Sequence, residues 1–96
     1  MKITRPQFNE LVSLQTSLGN WNATSLFLIQ KFFVKPLPKC SSYDVLCTLA
    51  ALCVLESLFL EKQNQWALIA QKAKAFLKNL KIDVDDQVDK LTELLN

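Results

Sequence analysis

Apolar and polar positions follow a helical rhythm along nearly all of this chain. Phe8, Leu11 and Val12 fall at helical spacing, Gln15 continues the row, and Leu14 completes the apolar side. Pro6 suits the first turn of such a helix, where its missing N–H has no partner in any case. Together they predict a helix over about 6–16. Leu26, Phe27, Ile29, Phe32 and Phe33 predict a second over 23–34, with Asn22 or Thr24 as its N-cap. Lys35-Pro36-Leu37-Pro38-Lys39 must then be a loop, because prolines at 36 and 38 stop a helix. A third helix is expected over 42–61, capped by Ser41 or Ser42, with Asp44 in its first turn. It is apolar nearly all round, so other helices must surround it. After a break near Gln63-Asn64, Trp66, Ile69, Ala70, Ala73, Leu77 and Leu80 make one stripe and predict a helix over 64–80. Asp83 is a good N-cap for a fifth, 84–95, with Val84, Val88, Leu91 and Leu95 on its apolar side. No segment reads as a strand. The expected fold is all-α: one domain, a single compact bundle of about five helices.

Within this pattern the single glycine, Gly19, stands out. It lies beyond the end of the first predicted helix and two residues before Trp21. There a left-handed or otherwise unusual backbone conformation is expected, which would reverse the chain and turn Trp21 toward the core. A positive φ at Gly19 would make Gly19→Ala cost about 1 kcal/mol.

Composition narrows the chemistry. The chain has 96 residues, half of them apolar, and a net charge of +2. It is long enough for a modest core and too apolar for disorder. A nearly balanced charge argues against a dedicated nucleic-acid surface. There is no histidine, so the commonest general base, zinc ligand and pH switch are missing together. Serine or cysteine triads with histidine and glycine-rich phosphate loops are likewise excluded. Cys40, Cys47 and Cys53 are odd in number and lack C-x-x-C spacing. Cys47 and Cys53 read as small buried hydrophobes in a reducing, cytoplasmic setting. Asp85, Asp86 and Asp89 share one exposed helical region and read as a solvated face, and they do not match a calcium loop. No catalytic, metal or cofactor site is expected.

The N-terminus MKITRPQFNE has no apolar signal-peptide core, and Asn22-Ala23-Thr24 means little as a glycosylation sequon without one. Val45 to Leu60 is interrupted by Thr48, Glu56 and Ser57 and is shorter than a span needs. It reads as a core helix.

Two surface candidates remain. Lys74, Lys78 and Lys81 share a face of the fourth helix. Lysines 62, 72, 74, 78 and 81 lie in a segment without acids, and acids 83, 85, 86, 89 and 93 follow. The two segments either neutralise each other as antiparallel neighbours or offer a basic face to an acidic partner. Phe32 and Phe33 cannot both point inward from one helix, so Phe33 or Leu37 is a candidate contact, unless the loop covers them as core. Trp21 and Trp66 are larger side chains with the same choice between anchor and core, and core is the expectation for both.

Three ordered stretches carry a resemblance. They are Leu11-Val12-Ser13-Leu14-Gln15 with Gly19-Asn20-Trp21; Thr48-Leu49-Ala50-Ala51-Leu52 with Leu55-Glu56; and Gln65-Trp66-Ala67-Leu68-Ile69-Ala70-Gln71-Lys72-Ala73 with Phe76-Leu77. In this order the chain resembles the C-terminal helical region of proteins with a VIT domain and a von Willebrand type A domain, a family that includes the vault poly(ADP-ribose) polymerase. The resemblance covers Phe8 to Leu80. Leu18 departs from the acid usual there, Leu46-Cys47 from an aromatic-alanine pair, and Gln65 from a glutamate. The resemblance implies that Gly19 and Trp21 are the turn and plug joining the first two helices. It also implies an interaction module, or a fragment of a longer protein, that attaches its parent to the major vault protein, the shell of the vault particle.

Overall fold

The computed structural model describes residues 8–38 and 42–95; Pro6, Cys40 and Ser41 lie outside them. Among the described residues there are five α-helices: α1 Phe8–Ser13, α2 Leu26–Gln30, α3 Tyr43–Leu58, α4 Gln63–Asn79 and α5 Val84–Thr92. Short 3-10 helices, Ala23–Ser25, Leu60–Lys62 and Glu93–Leu95, extend α2, α4 and α5. The expected all-α bundle is what forms. Its radius of gyration is 12.3 Å, close to the roughly 12–13 Å of a folded chain this long.

α3 is the axis. Every residue from Leu46 to Leu55 is buried, because α2, α4 and α5 all pack on it. It starts where expected: Ser42 is extended, and its hydroxyl accepts from the Val45 N–H at 3.4 Å. It ends earlier than the pattern suggested, at Leu58, and Phe59 makes the corner. The Phe59 carbonyl accepts from the Lys62 N–H at 2.9 Å and from the Trp66 indole N–H at 2.7 Å. Its ring meets Phe8 and Phe32 edge-on, at centroid separations of 5.2 and 6.0 Å. The chain bends by 94° there. Trp66 is thus core, as expected, and its polar atom is what fixes the break.

α1 and α2 are shorter than 6–16 and 23–34. α1 stops at Ser13, where Leu14 and Gln15 close tighter turns onto Leu11 and Val12. Leu14 is consequently mostly outside the core. α2 is preceded by a 3-10 turn in which Asn22 makes no side-chain cap. The cap comes from another helix: Asp44 of α3 accepts from the Ala23 N–H at 3.0 Å.

The loop between them is the tightest joint of the molecule. Gly19 has φ +98° and lies against the α4 backbone: a Cβ added to it would stand 2.6 Å from the Lys72 carbonyl oxygen. The Gln15 side-chain amide donates to the Gly19 and Ile69 carbonyls, both at 2.9 Å. Trp21 is completely buried. Its backbone N–H donates to the Thr48 hydroxyl at 3.0 Å, and its indole N–H donates to the Leu11 carbonyl at 2.8 Å. The loop therefore touches α1, α3 and α4 at once.

α4 ends at Asn79 in a Schellman motif: the Ile82 N–H reaches the Leu77 carbonyl at 3.1 Å and the Lys81 N–H the Lys78 carbonyl at 2.9 Å. Lys81 holds the left-handed position, φ 61°, where glycine is usual. Leu80, expected on the α4 stripe, falls past the helix end and is half exposed. Asp83 caps α5 as expected, accepting from the Asp86 N–H at 3.2 Å.

Gly19→Ala is expected to cost more than left-handed strain alone. The added methyl would also press on helix backbone, which cannot swing aside as a side-chain tip can. Strain and overpacking together amount to about 3 kcal/mol. Thermal melts should show a drop of roughly 12 °C or more for a chain of this length. A loss near 1 kcal/mol would mean that the loop moves off α4 at little cost.

Candidate interaction surface

The five residues singled out in the sequence do not form one face. Phe33 is 7% exposed and Phe32 is buried beside it. The core reading of this pair is the one realised. Helical geometry forbids both rings from pointing inward, but α2 has already ended at Gln30. Lys31, Phe32 and Phe33 follow it in tighter turns, each N–H bonded to the carbonyl three residues back. The loop then folds across them. Val34 and Lys35 both donate to the Leu94 carbonyl at 3.1 Å. The Gln30 side chain accepts from the Leu37 N–H at 2.8 Å and donates to the Lys35 carbonyl at 3.1 Å. Leu37 is thereby held half-buried against the core.

The lysines lie on and just beyond α4. Lys74 pairs with Glu56 of α3 at 3.2 Å, a partly exposed contact worth up to about 1 kcal/mol. Glu56 is the charged residue that ends the buried run of α3, and Lys74 compensates it. Lys78 lies in the last turn of α4, where a cation suits the helix dipole. Lys81 projects from the Schellman turn. Among the described residues, Lys72, Lys78 and Lys81 have no ion pair, and none joins α4 to α5. α5 packs mainly on α3, and its Asp86 pairs within the helix with Lys90 at 3.1 Å. Neutralisation between α4 and α5 is therefore not how these charges are arranged.

Exposed apolar side chains mark places the pattern did not single out. Phe27 is 84% exposed on α2 and borders a shallow groove with Ala23, Thr24, Leu26, Gln30 and Lys31. Leu18, 75% exposed, rises from the glycine loop beside Lys72, Ala75, Phe76, Asn79 and Leu80, which together line a depression of about 410 Å³. Leu68, 74% exposed, continues that side of α4, since 68, 72, 75 and 79 share one face. A further apolar groove runs between α3 and α5, walled by Val45, Leu49, Ile82 and Leu94 with Pro38 at its edge. Leu68 carried a signal in the sequence: it is a leucine outside the Trp66–Leu77 stripe. Leu18 carried none, because its exposure follows from how Gly19 docks.

Reactive chemistry is sparse. Cys53 is buried with its sulfur 3.4 Å from the Thr92 hydroxyl. Burial pushes its thiol pKa up, against the lowering effect of hydrogen bonds from Thr92 and Ser57. It stays a protonated thiol at neutral pH, a poor nucleophile. Among the described residues no group of three or more histidine, cysteine or acidic side chains is placed to hold a metal ion. No single described helix is long and apolar enough to cross a membrane. Comparison with protein-family models, curated proteins and solved structures found no match.

Burial separates the two phenylalanines energetically. Phe33→Ala is expected to cost about 3 kcal/mol or more, and Phe27→Ala to stay within about 0.5 kcal/mol of the parent. Urea titrations of both variants check this; equal losses would contradict the placement of one in the core and the other on the surface.

Proposed function

We propose that this chain is a non-catalytic protein-interaction module that docks its parent protein onto a large cytoplasmic assembly. The vault particle, met through the major vault protein, is the assembly that the resemblance implies. The observation that carries the reading is the ordered set of three stretches between Phe8 and Leu80. The lysines of α4 support it, since a basic surface without acids suits a protein partner of opposite charge. The absence of histidine and of a glycine-rich loop from the sequence favours binding over catalysis, without cofactor and without direct nucleic-acid contact.

A second reading has its own support. The residues that carry the resemblance include Gly19, Trp21, Thr48, Trp66 and Ala73, all of them buried. Buried residues specify a fold more directly than a partner. The apolar groove between α3 and α5 would also suit packing against a neighbouring domain of the same parent. On that reading the chain is a structural domain with no external partner.

Co-sedimentation with assembled vault shells at physiological salt, with an unrelated basic helical bundle as control, separates the two. Docking predicts saturable pelleting that falls about tenfold or more in the double variant Lys78→Glu/Lys81→Glu, with helicity and melting kept. Lys74 is left intact because of its pair with Glu56. No pelleting would favour the structural-domain reading.

A further inference from the structure

We infer that the depression between the glycine loop and α4 is a docking site for an acidic amphipathic helix of a protein partner. The inference rests on the docking reading above and adds to it a surface apart from Lys78 and Lys81, with the chemistry of what it takes.

Its floor and walls are apolar: Leu18 from the loop, Ala75 and Phe76 from α4, and Leu80 beyond the helix end. Leu18 and Leu80 are exposed, although a core lies within reach of both segments. Their exposure is built in. Gly19 abuts the Lys72 backbone and Gln15 bonds to Ile69, so the loop cannot turn Leu18 inward without leaving α4. The Schellman turn, held by Leu77 and Lys78, fixes Leu80 in the same way. Both leucines are thus presented by rigid elements, which lowers the entropy cost of binding something against them.

Charge identifies the occupant. Lys72 is the charged side chain among the residues that line it; Lys78 and Lys81 lie with Lys74 on another face and do not line it. Neither segment that lines the depression carries an acid: there is none between Leu11 and Tyr43 and none between Lys62 and Ile82. Asp83, the next acid along the chain, is engaged in capping α5. The potential over the depression is therefore positive, and its complement is an apolar row flanked by aspartate or glutamate. The same lysine argues against a second copy docked face to face, because two such depressions would bring a pair of Lys72 charges and no acid into one interface. A concave, polar-rimmed shape with Ser17 and Asn79 at its margin suits a helix better than a lipid surface, which takes protruding side chains.

The test uses the full chain and a fluorescein-labelled synthetic helix with leucines on one face and glutamates on both flanks. A second helix carries lysine in place of every glutamate. Anisotropy titrations should show binding of the acidic helix only, weakening as salt rises. Lys72→Glu and Leu18→Ser should each weaken it about tenfold or more without changing the melting temperature, because both side chains are exposed. Phe27→Ser, on the other exposed patch, should leave binding unchanged. The inference is overturned if neither helix binds, if both bind equally, or if the Lys72 and Leu18 variants bind like the parent. It is also overturned if these variants abolish self-association in sedimentation velocity, or flotation with phosphatidylserine vesicles, while the acidic helix does not bind. Failure of vault shells to pellet the chain, with the acidic helix still binding, would remove the vault partner and leave this site standing.

Discussion

One hydroxyl organises this fold. Thr48 is fully buried in the middle of α3, the most apolar helix of the chain. Its oxygen accepts from the Trp21 backbone N–H at 3.0 Å and donates to the Asp44 carbonyl at 2.7 Å. A buried N–H left without a partner costs about 1–3 kcal/mol, so the Trp21 backbone can enter the core only where such an acceptor waits. With Trp21 placed, its indole closes onto the Leu11 carbonyl and α1 is positioned. Gly19, two residues earlier, then has to lie against Lys72 of α4. The exposed features follow from this joint. Leu18 is turned outward because its neighbour is turned in, and Lys72 is presented beside it.

A second junction works by the same logic at the opposite end of α3. The Phe59 carbonyl lies at a sharp bend, where it accepts from both the Lys62 N–H and the Trp66 indole N–H. The two tryptophans thus have parallel roles. Each fills core volume, and each uses its single donor on a backbone carbonyl where a helix ends or the chain turns. Lys74 and Glu56 add a surface pair between the helices that this corner joins. Charge has a modest part in holding the bundle.

Much of this was legible in the sequence. The five helices, the Ser42 and Asp83 caps, the buried run of α3 and the inward direction of both tryptophans follow from spacing and from capping chemistry. Helix lengths were less legible, because the ends of α1 and α2 are set by contacts from elsewhere in the chain. Asp44 caps the Ala23 turn from another helix, and no local pattern around Asn22 reveals that. Phe32 and Phe33 were ambiguous for a related reason. A helical wheel forbids two inward neighbours, but α2 ends at Gln30, two residues before Phe32, and the loop through Val34 and Lys35 folds onto Leu94. The surface was least legible. Phe27 sits on the side of α2 away from the buried Ile29, with Gln30 and Lys31, and it stays in solvent.

The fold as described requires the glycine loop to be part of the cooperative core. Native-state hydrogen exchange at the Trp21 amide tests this most directly. If the Thr48 bond and the Gly19 contact hold the loop as described, that amide exchanges only through global unfolding, with the same free energy as the central amides of α3. Exchange of Trp21 through a local opening well below that level, with α3 still protected, would contradict it.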